Sequence, residues 1–417
     1  MLNAFARILP PRSMVYRLSL TGLLATLALP AAGEATDSAK QPDSFGQCKA
    51  QLEDRAISAG VSRDTASSVL ADVQHLNRVI ELDRRQPEFT TTFADYLGRR
   101  VNENRISNGR RLLEEHEELL ARVTAETGVP APYLVAFWGL ETNFGSYFGK
   151  MSVPSALTTL ACDPRRSNFF TEQLIAALRI IDEGAIPAKQ MEGSWAGAMG
   201  HVQFMPTVFL KHAVDADGDG KRDLWNSLPD AMMSAGKFLE SMGWNPDYRW
   251  GREVILPEQF DYALADGRRL PLSKWRELGI TDAFGNALAD EPIDAALVVP
   301  AGHEGPAFLA YHNFKVIMGW NRSEFYAIAV GHLADRVAGA GRLQNPPPDD
   351  LPALSRAAIL ELQRTLNQRG FDSGKPDGII GSGTRSAIRQ YQSSAGLVAD
   401  GYPGQTVLDK LGINIDR

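Results

Sequence analysis

Glu141 closes the apolar part of "LVAFWGLETNFG", residues 134–145, where Leu134, Phe137, Trp138 and Glu141 fall at i, i+3, i+4 and i+7. That is the spacing of one helical face. A carboxyl partly buried beside aromatic rings has its charged form disfavoured, so its pKa rises. A protonated acid near neutral pH is what cleavage of a glycosidic bond requires at the leaving oxygen. On the pattern alone, a Glu that points to water from a helix end is the plainer alternative. A second stretch, "GSWAGAMGHVQFMP" at 193–206, sets Gly193, Gly197 and Gly200 around Trp195, Gln203 and Phe204. Glycines permit close backbone approach and unusual dihedrals, and Trp with Gln suits stacking and hydrogen bonding to a sugar. As composition, the stretch reads equally well as a loop entering a buried helix.

A third stretch, "DADGDGKRDLWN", invites a cation. Counted from Asp215, side-chain oxygens recur at positions 1, 3, 5 and 9 through Asp217, Asp219 and Asp223. Gly220 falls at position 6, and Lys221 offers its backbone carbonyl at position 7. This is the EF-hand loop pattern, in which alternate residues turn oxygens toward one hard cation. Position 12 is Asn226 in place of the bidentate Glu, which lowers the expected affinity. A structural calcium ion is expected, with a solvated acidic turn as the alternative. No organic cofactor is indicated.

These residues need elements to hold them. "ENRISNGRRLLEEHEELLARVTAET" at 103–127 predicts a helix with Ile106, Leu113, Leu120 and Val123 as its stripe and Gly128 as its stop. Pro132 suits the first turn of the helix that carries Glu141. Helices are also predicted at 169–183, at 230–243 with Asp230 as N-cap, and at about 322–337. Between them, "REVILP" (252–257), "AALVVP" (295–300) and "AFLAYHNF" (307–314) read as strands. "NPPPDD" at 345–350 is a stiff polar break. Three helices follow it, at 357–370, 382–396 and 404–412, and the weak likeness of "GSGTRSAI" to "GYPGQTVL" suggests two related loop-to-helix units.

The chain has 417 residues, enough for two or three domains, and its 44% hydrophobic content supports sizeable cores. A net charge of −7 with 22% charged residues argues against a nucleic-acid partner. Arg7, Arg12 and Arg17 precede an apolar run from Leu18 to Leu29, with small residues beyond it, matching a secretory signal peptide over 1–35. The run is short for a transmembrane span, and no Cys near the cleavage site offers a lipid attachment point. The mature chain is therefore expected to be periplasmic, soluble, not lipidated and without a stable membrane span. An uncleaved N-terminal anchor is the alternative. The two cysteines, Cys48 and Cys162, either bond in that oxidising compartment or stay as two buried thiols.

Taken in order, "FWGLETNFG", "SWAGAMGHVQFMP", "DADGDGKRDLW" and "YHNFKVIMGWNRSEFYAIAV" closely resemble the lytic transglycosylase B family of peptidoglycan-cleaving enzymes. "KPDGIIGSGTRSAIRQYQ" resembles a small three-helix peptidoglycan-binding domain. The resemblance implies an α+β, mostly helical fold: a lysozyme-like catalytic domain at 45–340, a linker at 341–354 and a peptidoglycan-binding domain at 355–413. It implies that Glu141 is the single catalytic acid/base, and that Ser194, Gln203, Asn321 and Tyr326 line a sugar groove. Tyr147, Phe204 and Trp320 are the implied stacking surfaces; Trp320 stands where the family usually has Tyr, so it keeps stacking but not a hydroxyl contact. His201 receives no catalytic role.

The implied reaction cuts the β-1,4 bond between N-acetylmuramic acid and N-acetylglucosamine and leaves a 1,6-anhydro sugar. A lysozyme-type hydrolase and a non-catalytic wall-binding scaffold are the rival readings. The expected partners are glycan strands of peptidoglycan, met by a monomer. Whether cell-wall synthesis or division proteins recruit it is open.

Overall fold

The computed structural model describes residues 44–85 and 91–414. The leader expected at 1–35 lies outside them. Helices dominate. The N-terminal half runs α1 (Ser44–Ser58), α2 (Arg63–Asp72), α3 (Asn77–Arg85), α4 (Phe93–Arg100), α5 (Glu103–Glu115), α6 (Glu117–Thr127), α7 (Ala131–Thr142), β1 (Met151–Ser152), α8 (Val153–Cys162), α9 (Ser167–Asp182) and β2 (Glu192–Gly193). Then follow α10 (Pro206–His212), α11 (Leu228–Ser241), β3 (Gly251–Ile255), β4 (Arg269–Pro271), α12 (Leu272–Glu277), β5 (Thr281–Asp282), β6 (Asp294–Val298), β7 (Ala307–Ala310), α13 (His312–Trp320) and α14 (Glu324–Val337). The chain closes with α15 (Arg356–Gln368), α16 (Ser382–Ser394) and α17 (Gln405–Leu411).

Local chemistry starts these helices where the sequence offers a short polar side chain. Thr92, Asn102, Ser323 and Ser355 each accept a hydrogen bond from the backbone three residues on, at the N-terminus of α4, α5, α14 and α15. For α11 the cap is Ser227, not the expected Asp230. Asp230 sits one turn inside the helix, and its carboxylate is used elsewhere. The long helix expected at 103–127 is two helices broken at His116. The break lets α5 pack on α7 and α14 while α6 turns to α11. The strand read at 307–314 ends at Ala310, and His312 begins α13.

Three clusters of buried side chains result. The largest is built around α7, which is covered by α14, α5, α6 and α11. Every residue from Tyr133 to Leu140 is buried, so the expected one-sided stripe is a helix wrapped on all sides. The second cluster lies under an antiparallel sheet of order β4-β6-β7-β3-β5, with Trp275 and Leu309 at its centre. The third joins α15, α16 and α17 through Leu362, Ile388 and Leu408. Cys48 and Cys162 are bonded, tying α1 to the end of α8 across 114 residues of chain. Before Pro346 the connecting segment is pinned: the backbone amides of Gln344 and Asn345 donate to the Glu253 carboxylate at 2.9 and 2.7 Å.

Candidate active site

Glu141 sits in the last turn of α7, and the way that helix ends explains its position. Asn143, Phe144 and Gly145 take φ of 48°, 60° and 75°, three left-handed residues in succession. The reversal folds Phe144 back beneath α7, where a Cβ on Gly139 would lie 2.7 Å from its ring. It also brings Gly145 against His201, with only 2.4 Å between an added Cβ and the imidazole. A left-handed Phe is costly and persists only where packing over-determines it. Here Thr142 fixes the turn, donating through Oγ1 to the His201 carbonyl at 2.8 Å and accepting from the Gly145 amide at 3.0 Å.

The glycine-rich stretch meets α7 through His201. Met199 and Phe204 pair as an isolated antiparallel bridge, and the Ser194 amide donates to the Ala198 carbonyl at 2.8 Å. The Trp138 indole N–H donates to His201 Nδ1 at 2.9 Å, so the imidazole carries its proton on Nε2. Burial pushes His201 down to about 4, against opposing effects of Asp223 and the Trp225 backbone. It stays neutral at working pH and acts as a strut between α7 and this loop.

Glu141 is half-buried, and its carboxyl receives the Tyr326 hydroxyl at Oε1. Burial pushes it up to about 7, against weaker lowering by Tyr326, the Arg100 guanidinium and the Trp320 indole. Burial likewise drives the Tyr326 hydroxyl well above its ordinary value, so it donates and does not ionise. Among the described residues acting on the Glu141 carboxyl there is no second acid. Arg100 was not anticipated from sequence. It sits at the end of α4, donates to the Leu140 carbonyl at 3.2 Å and lies over the Tyr96 ring. Its only sequence signal is a basic last turn, shared by many helices.

The other anticipated residues fall into distinct places. Trp320 packs on Phe137 with ring centroids 4.5 Å apart, and Asn321 beside it is exposed. Phe204 is only 2% exposed and lies behind Trp320, so it backs that ring and has no face of its own for a sugar. Gln203, at φ 49°, donates through Nε2 to the carbonyls of Phe148 and Gly200 at 3.1 Å. The Ser194 hydroxyl accepts from the amides of Ala196 and Ala198, holding its turn. Tyr147 stands out into solvent, 60% exposed.

In the acidic loop, Asp215, Asp217 and Asp230 bring oxygens within 4.8 Å of one another, which fits a hard cation. Asp219 and Asp223 are not in that group. Asp219 accepts from the Lys221 amide and Asp223 from the amides of Trp225 and Asn226.

Comparison with known proteins agrees with this geometry. The transglycosylase SLT domain model matches residues 44–335, and a putative peptidoglycan binding domain model matches 355–411. The chain belongs to the transglycosylase SLT family. It is thereby a lytic transglycosylase of mostly helical, lysozyme-like fold, a class of peptidoglycan-cleaving lyases. Membrane-bound lytic murein transglycosylase B of Escherichia coli K12 is 27% identical over 291 residues, covering 67% of this chain and 79% of that protein. SltB3 of Pseudomonas aeruginosa in complex with NAG-NAM-pentapeptide is 44% identical with a TM-score of 0.86, covering 88% of this chain and 100% of that one. Escherichia coli Slt35 in complex with calcium is 27% identical with a TM-score of 0.61, covering 70% of this chain and 92% of that one.

Proposed function

We propose that Glu141 alone performs both proton transfers in cutting the bond between N-acetylmuramic acid and N-acetylglucosamine. The supporting observation is a single half-buried carboxyl raised to about 7 by desolvation, anchored at one oxygen by Tyr326 and with no second acid acting on it among the described residues. Protonated Glu141 gives its proton to the glycosidic oxygen as the C1–O bond breaks, and N-acetylglucosamine leaves as an alcohol. The 2-acetamido group of the muramoyl residue supports the positive C1. The muramoyl C6 hydroxyl then closes on C1 and yields its proton to the Glu141 carboxylate, which restores the acid. No water is consumed. Most glycosidases place two carboxyls across the bond, and a lone acid favours the intramolecular closure over hydrolysis.

Around this centre, Ser194, Gln203, Asn321 and Tyr326 border the sugar groove, with Trp320 and Tyr147 as its aromatic surfaces. Residues 45–340 form the catalytic domain, 341–354 the connection and 355–413 the wall-binding domain of a monomer exported to the periplasm. No helix among the described residues is long and apolar enough to cross a membrane. A calcium ion held by Asp215 and Asp217 with Asp230 would supply only positive charge to order the loop. Mass spectrometry of sugars released from purified peptidoglycan tests the reaction. Anhydro-muropeptides are expected, and reducing muramic acid ends would replace this reading with a hydrolase.

A further inference from the structure

Where α4 passes into α5, two arginines are held together without an acid between them. Arg100 and Arg105 are both half-buried, and neither forms an ion pair among the described residues. Their side chains donate to neutral oxygens: Arg100 to the Leu140 carbonyl at 3.2 Å, and Arg105 to the carbonyls of Arg99 and Arg100 and to Asn143 Oδ1. Burial, then the Arg100 charge, pushes the Arg105 guanidinium below its ordinary value. Two like charges kept together and partly out of water call for a negative counterpart.

What both arginines reach is the C-terminal end of α7. The amides of Asn143 and Phe144 both return to the Trp138 carbonyl, and the Gly145 amide goes to Thr142 Oγ1. The Leu140 carbonyl, one residue before Glu141, is thus left outside the helical ladder for Arg100 to meet. Unpaired carbonyls make this end of a helix partially negative, which favours a cation and disfavours a carboxylate. Arg100 is also fixed from its other side, 5.5 Å from the centroid of the Tyr96 ring. Tyr96 in turn packs on Phe325, the residue before Tyr326.

Other charged groups on the helices around α7 are engaged elsewhere. Arg110 of α5 and Arg122 of α6 donate to backbone carbonyls, while Arg336 of α14 and Lys237 of α11 pair with exposed acids. His332 of α14 is neutral, pushed down to about 4 by burial and by Arg336. Among the described residues, the cation that acts on the Glu141 carboxyl is Arg100.

We propose that Arg100 is a positioning residue that holds Glu141 as a carboxylate between the two proton transfers. This rests on the reaction proposed above, in which the proton given to the glycosidic oxygen leaves a negative charge on Glu141 until the muramoyl C6 hydroxyl returns one. An uncompensated carboxylate, half-buried at the negative end of α7, would resist the first transfer. Seated on the Leu140 carbonyl, the guanidinium offsets the helix end and the carboxylate together. Arg105 braces it through the Arg100 carbonyl and holds Asn143, the first left-handed residue of the turn.

The test is the pH–rate profile for release of anhydro product by the full chain, wild type against Arg100→Gln and Arg100→Lys. An opposite charge beside a carboxyl lowers its pKa by about 1–3, so its removal in Arg100→Gln should move the alkaline limb up by about one pH unit or more. At pH 6, kcat should fall about 10-fold with KM within about twofold, because the charge is needed only once the proton has left. Arg100→Lys keeps the charge and should hold the limb near its wild-type position while recovering most of the lost kcat. Arg100→Met, which covers Tyr96 without a charge, gives the same reading should the Gln variant not fold. A limb that stays in place without the charge, or moves as far in Arg100→Lys as in Arg100→Gln, overturns the proposal and leaves Arg100 a brace of the helix end. A rise in KM with kcat kept overturns it too, in favour of a contact with substrate. Wild type that releases no anhydro product would sink the reaction itself, a failure distinct from either of these.

Discussion

Glu141, half-buried, and Asp230, fully buried, are both acids near a helix end, and desolvation raises the pKa of each. They differ in what meets their oxygens. Asp230 is fully buried and saturated: Oδ1 accepts from the amides of Ala216 at 2.7 Å and Asp217 at 3.4 Å, and Oδ2 from the Asp223 amide at 2.8 Å. Glu141 receives the Tyr326 hydroxyl and the Trp320 indole, both from side chains. Backbone amides stabilise the Asp230 carboxylate against its burial, whereas at Glu141 desolvation outweighs its two side-chain donors. Backbone donors make Asp230 a pin, while Glu141 is left as a carboxyl able to give and take a proton. Asp230 pins the loop that leads to Leu224, whose carbonyl accepts from the His201 amide at 2.8 Å and so steadies His201 against α7.

Amidation breaks the comparison most sharply, because it should act in opposite directions at the two sites. Glu141→Gln cannot donate to the glycosidic oxygen, and general acid–base catalysis contributes about 10²–10⁴-fold, so anhydro product release should fall by at least that range. Binding to peptidoglycan should persist in a sedimentation assay. Stability should move the other way. The folded pKa of about 7 lies above the ordinary 4.5, so the protonated form is the favoured one. Its contribution is complete below about pH 4.5 and is lost as pH rises through about 7. Above pH 7 the Gln variant should therefore be more stable than wild type, by on the order of 3 kcal/mol. Thermal melts at pH 5 and pH 8.5 check this; no pH-dependent gap would mean that the carboxyl is not buried as described.

Asp230→Asn should destabilise at every pH. An amide that keeps Oδ1 toward Ala216 turns its NH₂ toward the Asp223 amide, leaving a buried donor unmet at a cost of about 1–3 kcal/mol. Activity of the folded fraction should survive. Tyr326→Phe comes next in effect on rate. Loss of a hydrogen bond to a charged group corresponds to roughly a 10- to 100-fold drop in kcat. The removed hydroxyl lowers the Glu141 pKa, so the alkaline limb of the pH–rate profile should move to higher pH. Wild-type activity itself should decline as pH rises through about 7, and an unmoved limb in the Phe variant would show that Glu141 does not set it.

Much of this was legible in the chain because the signals are local. The helix stop at Gly128 and the motif spacing around Glu141 and Gly200 are read within a few residues, whereas the cap expected at Asp230 fell instead to Ser227. What was not legible depended on partners far away in sequence. Leu134, Phe137 and Trp138 do mark a buried face, but only α14, α5 and α11 make the other faces buried too. Phe204 and Trp320 look alike as aromatics beside a groove, and only the ring behind ring at 5.4 Å shows which one is covered. Arg100 lies 41 positions before Glu141 on another helix, and nothing in its own neighbourhood points to a carboxyl. Cys48 and Cys162 left two outcomes open until α1 and α8 were seen to bring their Cα atoms to 6.0 Å.

The smallest expected effect on rate concerns the acidic loop, and it sharpens what Asp230 does. Asp215 already accepts from the amides of Gly218 and Gly220, and Asp217 from the Asp219 amide and the Ser227 hydroxyl, so the loop holds its turn by its own hydrogen bonds. Calcium joining Asp215, Asp217 and Asp230 would add to an arrangement that is already formed. Its contribution then follows mass action, about 2.7 kcal/mol when calcium stands a hundredfold above its dissociation constant. The melting temperature should rise with millimolar calcium and less with magnesium, which demands a tighter octahedral shell. Asp217→Ala should abolish that rise while sparing the three amides that Asp230 holds, so kcat at low temperature should stay within about twofold of wild type, as expected of a surface change away from the groove. A melting temperature indifferent to calcium in the unmutated protein would leave Asp230 as the whole of the loop's anchor, and the acidic stretch as a solvated turn.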